Sequence, residues 1–116
     1  MLRCLILSLS LSLALPASYA FAAAPAKDDA EAHYEIAAEH YAKEEYEEAA
    51  REFAIAYALE PSMEILFAWA QAERLADNLE EAANLYQRLL NEDLDDEQRE
   101  AIEQLLAEIE PEVYPD

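Results

Sequence analysis

Apolar and polar positions divide the chain into two unlike parts. The first is an apolar run from Leu5 to Leu15, interrupted only by three serines and followed by Pro16. From Ala30 onward, apolar residues recur every three or four positions, which is the spacing of one helix face. The pattern therefore predicts that the folded part of the chain is helical and begins after the apolar run.

Breaks in this periodicity predict five helices joined by short connections. The residue before Pro61 is pushed out of the α region, which ends the second helix. In the turn Asp77-Asn78, asparagine tolerates the left-handed conformation that a helix end often needs. The predicted helices are 30–43, 46–59, a third that Ser62 caps and that ends near Ala76, 79–91, and a fifth that Asp95 or Asp96 caps and that ends before Pro111.

Each predicted helix has one face of apolar or small residues that we expect to lie inward. Trp69 is expected in the core, since it lies on such a face. The inward residues are His33, Ile36, Ala37 and His40; Ala49, Phe53, Ala56 and Tyr57; Leu66, Trp69, Ala70 and Glu73; Ala82, Leu85, Tyr86 and Leu89; and Ile102, Leu105, Leu106 and Ile109.

The apolar run has the features of a signal peptide. Arg3 supplies the positive charge before it, and small residues suited to a signal peptidase follow it. We expect residues 1–22 to be removed, with cleavage after Ala20 or Ala22, and residues 23–29 to form a linker. The run is too short to span a bilayer comfortably, so no stable membrane insertion is expected after cleavage. The predicted location is the periplasm, or alternatively the cell exterior.

Composition narrows the possible partners. The net charge is −20, from 7 Lys and Arg against 27 Asp and Glu, and the chain has no glycine. A hydrophobic fraction of 54% argues against a disordered acidic tail. Nucleic acid is excluded as a partner because phosphate binding needs clustered Lys and Arg. A basic protein surface or a cation is the electrostatically natural partner.

The sequence contains an internal repeat. The segment 46–50, Tyr-Glu-Glu-Ala-Ala, recurs at 79–83 as Leu-Glu-Glu-Ala-Ala, a spacing of 33. Small residues at matching positions allow helices to approach closely, and aromatic rings fill the space between neighbouring pairs. Two helix–turn–helix units followed by a fifth helix are therefore predicted. The other matching pairs are Phe53 with Tyr86, Ile36 with Trp69, and Ala37 with Ala70.

This repeat resembles the tetratricopeptide repeat (TPR). The matching residues are Ala37, Tyr46, Ala49, Phe53, Ala56 and Pro61 in the first unit, and Ala70, Leu79, Ala82 and Tyr86 in the second.

The resemblance implies an all-α fold, a fragment of an α-solenoid. It consists of a first TPR unit over 30–62, a second over 63–92, a capping helix over 93–110 and an acidic tail over 111–116. The sequence departs from the family at its turns, where Glu44-Glu45 and Asp77-Asn78 replace the usual glycine. A left-handed backbone at Glu44 would cost roughly 1–2 kcal/mol.

The resemblance also implies a binding surface. Residues on the first helix of each TPR unit line a concave groove that binds extended peptides or partner helices. The chain is therefore expected to be an adaptor or scaffold that binds a protein or peptide, with self-association also expected because two units fall short of the usual three. The groove residues are Tyr34, Tyr41, Phe67, Gln71 and Arg74.

No catalytic residue or cofactor is predicted. After the signal segment, Ser62 is the one hydroxyl residue besides tyrosine, and its position predicts a helix cap rather than a nucleophile. Without glycine the chain has no phosphate-binding loop and no dinucleotide fingerprint. An enzyme is therefore not expected.

Two groups of residues raise the question of a metal, and none is predicted. His33 and His40 lie two turns apart on one helix face, too far apart to share an ion. Acidic residues alternate from Asp93 to Glu97 as in calcium loops, but the glycine and the distal glutamate of such loops are missing. The acidic start of a helix explains them. The alternative function that stays open is an acidic, calcium-responsive periplasmic protein.

Overall fold

The computed structural model describes residues 26–115, and this part of the chain is all-helical. The predicted signal peptide and residues 23–25 of the predicted linker lie outside the described residues. Between residues 26 and 115 no helix is long and apolar enough to cross a membrane. The helices are α1 (Ala26–Ala42), α2 (Tyr46–Leu59), α3 (Met63–Leu75), α4 (Leu79–Leu90) and α5 (Asp96–Val113).

The helices pack in chain order, α1 on α2, α2 on α3, α3 on α4 and α4 on α5. Short connections impose this order, because a helix joined by a few residues has to lie beside its predecessor. The predicted signals at the α2–α3 connection are confirmed. Glu60 is extended before Pro61, and the Ser62 hydroxyl accepts a hydrogen bond from the Ile65 amide at 3.2 Å. This cap satisfies one of the unpaired amides at the start of α3.

The turns α1–α2 and α3–α4 have the same backbone geometry. Glu44 has φ 61° and Asp77 has φ 65°, both in the left-handed region. In the first turn the amides of Glu44 and Glu45 donate to the carbonyls of Tyr41 and His40, at 3.0 and 2.9 Å. This is the bond pattern of a Schellman motif, which satisfies carbonyls at the end of a helix.

The second turn repeats these bonds at a spacing of 33. The amides of Asp77 and Asn78 donate to the carbonyls of Arg74 and Glu73, at 3.1 and 2.9 Å. Glu44 therefore adopts the left-handed backbone whose cost the sequence analysis considered. In the second turn, however, the left-handed residue is Asp77, although the sequence pointed to Asn78. Both turns adopt a conformation that glycine favours without containing glycine.

The core consists of two clusters of buried residues, both drawn largely from the predicted inward faces. One lies between α1, α2 and α3 around Phe53, and the other lies between α3, α4 and α5 around Tyr86. Trp69 is half-buried and packs against both clusters, so it joins them. Alanines at the contact points let the helices approach closely, as predicted.

Two predicted helix ends are wrong. Helix α1 begins at Ala26 rather than Ala30, so part of the predicted linker is helical. Asp28 and Asp29 in its first turn complement the helix dipole. Helix α5 continues through Pro111 to Val113, so part of the predicted acidic tail is helical too.

Pro111 lacks an amide proton and normally interrupts a helix. Here Val113 packs against the cluster around Tyr86, and the Tyr114 amide closes the last turn on the Glu110 carbonyl at 2.8 Å. Burial of Val113 therefore offsets the single lost hydrogen bond near the helix end.

The prediction that Ile36 lies inward is also wrong, since 42% of this residue is exposed. The matching residue Trp69 packs on Tyr57 of the preceding helix, with ring centroids 5.8 Å apart. Within residues 26–115 no helix precedes α1, so the equivalent face of α1, which carries Ile36, is exposed there.

Candidate protein-binding groove

Four of the five predicted groove residues meet in a pocket between α1 and α3. The pocket, of about 320 Å³, is named here the aromatic pocket. Residues spaced three or four apart on each helix point to the same side, which is why the pocket draws on several turns of both. Its lining includes Tyr34, Tyr41, Phe67 and Gln71, and Phe53 forms its floor.

Edge-to-face contacts hold the tyrosines of this pocket in place. The Phe53 ring lies 5.3 Å from the Tyr34 ring and 6.5 Å from the Tyr41 ring, centroid to centroid. Tyr41 also contacts Tyr46 at 5.3 Å. Partial burial, and then the negative charge of Glu64, raises the pKa of Tyr34. Aromatic rings fixed in this way offer contact area at a low cost in conformational entropy.

A second concavity lies between α3 and α5. It has a volume of about 370 Å³ and is named here the apolar pocket, with a lining that includes Met63, Leu89, Leu94 and Ile102. Phe67 lines both pockets and is 37% exposed, so its ring forms the wall between them. Sequence analysis missed this second pocket. The signal was Met63 and Phe67, apolar residues one turn apart on a face that the buried residues do not use.

Gln71 and Arg74 form a hydrogen-bonded group with Tyr86. The Tyr86 hydroxyl and the Arg74 Nε both donate to the Gln71 Oε1, the latter at 3.2 Å. Burial raises the pKa of Tyr86, and the neighbouring Arg74 opposes that rise. Gln71 thus reaches the aromatic pocket, whereas Arg74 lies one turn further along α3 and is not part of the pocket lining. The structure therefore brings Arg74 beside the predicted site, not into it.

Carboxylates border the groove near the start of α3. Glu31, Glu60 and Glu64 line a third concavity of about 340 Å³, named here the acidic pocket. It shares Tyr34 with the aromatic pocket and Glu64 with the apolar pocket. The three pockets are therefore neighbours, and no Lys or Arg of the described chain lines any of them.

Two of the residues that raised the question of a metal, His33 and Asp95, have hydrogen-bond partners. The His33 Nδ1 lies 2.6 Å from the Glu52 Oε2, linking α1 to α2, whereas the buried His40 Nδ1 has no hydrogen-bond partner and lies 3.6 Å from the Glu45 Oε2. Asp95 caps α5, with its carboxylate accepting from the Gln98 amide at 2.7 Å. Over residues 26–115, no three His, Cys, Asp or Glu side chains are grouped to hold a metal ion.

A larger concavity, about 790 Å³, lies away from the groove, beside the α3–α4 turn and the end of α5. Its lining is mainly polar and acidic and includes Glu73, Asp77 and Glu112. It offers neither an aromatic ring nor a basic side chain. Size alone does not make it a binding site, and the groove has the aromatic and apolar lining typical of one.

Comparison with known proteins gives no match: no family model fits the chain, and neither a curated protein nor a solved structure resembles it significantly. The geometry of the groove therefore carries the functional argument.

Proposed function

We propose that this protein is an exported TPR-type interaction module that binds a protein segment, a peptide or a partner helix, in the groove formed by α1, α3 and α5. The observation that carries the proposal is the position of Phe67, an exposed ring between two apolar concavities. Partially exposed aromatic residues beside apolar pockets are the typical anchors of protein interfaces.

Two further observations support the TPR assignment within this proposal. The α1–α2 and α3–α4 turns match in backbone geometry at the spacing of the sequence repeat. The small residues Ala37 and Ala70, and likewise Ala49 and Ala82, are completely buried at equivalent positions. Equivalent turns and equivalent close contacts are what two copies of one helical repeat require.

The proposal assigns an adaptor role rather than catalysis. The polar groups at the groove are phenols, carboxylates and the Gln71 amide, and Gln71 is already engaged by Tyr86 and Arg74. Ser62, which lies at the acidic pocket, caps α3 through its hydroxyl. Such groups bind and orient a partner, and none of them is an activated nucleophile.

Photo-crosslinking tests the proposal. A photoreactive phenylalanine analogue is introduced at Phe67 or, as a control, at Gln87, which lies on α4 and is exposed outside the groove. In cells of the source organism, irradiation is expected to give discrete protein adducts at position 67 and to give none of these at position 87. Equal adduct patterns at both positions, or no adduct at position 67, would contradict the proposal.

The proposal includes self-association through the open face of α1 and α2. Ile36 and Ile55 are both exposed, and their equivalents Trp69 and Arg88 both contact Tyr57 of the preceding pair. The repeat therefore turns these two isoleucines toward a side on which no described helix lies, and a second copy of the chain would cover their exposed apolar surface. Sedimentation velocity over a range of concentrations is expected to show a dimer that Ile36→Lys abolishes. A monomer at every concentration would refute this part.

A further inference from the structure

Resting on the proposed groove, we infer that its partner is a basic protein segment with two apolar anchor residues, one on each side of Phe67, and with lysine or arginine reaching Glu31, Glu60 and Glu64. The order of the three pockets and the charges around them indicate this occupant.

The two apolar anchors follow from the position of Phe67. Its ring is a wall common to the aromatic pocket and the apolar pocket, so a segment crossing α3 has a concavity on either side of that ring. A leucine- or phenylalanine-sized side chain buried in each would stabilise the complex by removing apolar surface from water. A segment with one apolar residue would leave one of the two concavities unfilled.

The basic character follows from the carboxylates. Glu64 lines the apolar pocket, while Glu31 and Glu60 lie across the acidic pocket from it, next to Tyr34 of the aromatic pocket. The field of Glu64 already reaches the groove, since it contributes to the raised pKa of Tyr34. A cation beside the anchors would find complementary charge there, whereas an acidic partner would be repelled.

Two other occupants fit this chemistry less well. A second copy of the chain carries a net charge of −20 and would bring mainly carboxylates to a site already lined by them. The segment 1–25 of this chain supplies apolar side chains but has a single basic residue, Arg3, for the three carboxylates. Both occupants are among the outcomes of the experiment.

A random-peptide display library, selected on the purified protein, tests the inference. Enriched peptides are expected to carry two apolar positions and at least one nearby lysine or arginine. As synthetic peptides they should bind about 10-fold more weakly to Phe67→Ala, a loss of ~1.4 kcal/mol, and equally well to the control Gln87→Ala on α4. Circular dichroism of each variant confirms that its helices are retained.

Charge variants complete the test. Glu60→Gln combined with Glu64→Gln is expected to weaken binding several-fold and to reduce its salt dependence. The matched control, Glu80→Gln with Glu81→Gln on the exposed side of α4, removes the same charge away from the groove and should leave affinity unchanged.

The outcomes separate this inference from the function on which it rests. The enriched peptides could require Phe67 but lack lysine or arginine, or could bind the charge variant as well as the unsubstituted protein. Either result would show that the partner is not basic, and the proposed function of the groove would stand. If a synthetic segment 1–25 displaced the peptides, the occupant would be the chain's own N-terminal segment. If Phe67→Ala dissociated a dimer, the occupant would be a second copy of the chain. Either result would overturn the inference of a basic partner. No enrichment, or enrichment insensitive to Phe67→Ala, would contradict the proposed function itself.

Discussion

The helical pairs α1–α2 and α3–α4 share a sequence repeat and a turn geometry, yet their surroundings differ. The α3–α4 pair lies between α2 and α5, and its aromatic residue Tyr86 is fully buried. The α1–α2 pair packs against α3 on one side, and no described helix precedes it on the other. Its Phe53 is buried under two half-exposed tyrosines, and Ile36 and Ile55 are exposed.

This difference shows that the contacts of a residue depend on which of the two helical pairs it belongs to, even where the repeat makes the positions equivalent. Trp69 packs on Tyr57, and the Arg88 guanidinium lies 5.1 Å from the centre of the same Tyr57 ring, so both bind the second pair to the first. At the equivalent positions of the first pair, isoleucines face outward. We therefore expect the first pair to be the less stable of the two and the one that depends on a partner.

The largest effect is expected from removing the central rings. Tyr86→Ala should lower the free energy of unfolding by about 3–5 kcal/mol, because the enclosed cluster cannot collapse into the cavity. Phe53→Ala should cost less, since Tyr34 and Tyr41 can move inward from the groove. Urea denaturation of both variants measures the difference. Equal losses would contradict the view that the pairs are enclosed to different degrees.

The next prediction compares Trp69 with its repeat equivalent Ile36. Trp69→Ala should destabilise by about 2–3 kcal/mol, because the indole joins the two core clusters and donates a hydrogen bond to Glu73 at 3.2 Å. Ile36→Ala should cost less than about 1 kcal/mol in the monomer, since its side chain is largely exposed. A large loss for Ile36→Ala, measured at a concentration where the protein is monomeric, would show that its face is covered.

A smaller effect should follow from making the second pair resemble the first. Tyr86→Phe removes the hydroxyl that donates to Gln71 and gives position 86 the same residue as the equivalent position, Phe53. The expected cost at neutral pH is about 1 kcal/mol, the usual net value of a hydrogen bond. Thermal or urea unfolding near pH 7 measures it.

The same variant should also change the response to alkali. Burial raises the pKa of Tyr86 above its ordinary value of 10.0. Below pH 10.0 the Tyr86 phenol is protonated in both the folded and the unfolded state, and its contribution to stability is fully present. As the pH rises from 10.0 through the folded pKa, the unfolded chain ionises first, so the protein loses this contribution. Tyr86→Phe should lose less stability over this interval than the unsubstituted protein. If the stabilities of the two proteins fell in parallel with rising pH, Tyr86 would not be the residue whose pKa is raised.

The smallest effects are expected at the two turns. Glu44→Gly should stabilise the protein by about 0.5–1 kcal/mol, because glycine adopts the left-handed backbone without steric cost. Asp77→Gly should stabilise it less, since aspartate tolerates that conformation better than glutamate. Melting temperatures in a single buffer provide the comparison. Destabilisation by Glu44→Gly would show that its side chain has a role that outweighs the strain.

Local signals made much of this fold predictable. Ser62 before α3, Pro61 after α2 and the period of buried residues each fix a boundary or a face through short-range chemistry. The errors came from long-range packing. Val113, at the end of α5, packs against the cluster around Tyr86 beyond Pro111, and Ile36 is exposed because no described helix lies before α1. Neither feature can be predicted from the residue pattern of a single helix.

The groove was predictable only in part for the same reason. Tyr34, Tyr41, Phe67 and Gln71 converge as the repeat geometry requires, because they share one face of the first helix in each pair. The apolar pocket was missed because Leu94 and Ile102 complete it from outside the repeat. Arg74 and Gln71 lie three residues apart on one helix, but the Tyr86 hydroxyl that donates to the same Gln71 oxygen comes from α4, and sequence could not reveal that contact between helices.

The most direct test of the central claim is a map of amide chemical shifts during titration with a peptide that the display selection enriches. The account predicts that the largest changes fall on Tyr34, Phe67 and Gln71, with little change at Arg51 on α2 or Gln87 on α4, both of which are exposed outside the groove. Changes concentrated on α2 and α4, with Phe67 unaffected, would contradict a binding groove between α1, α3 and α5.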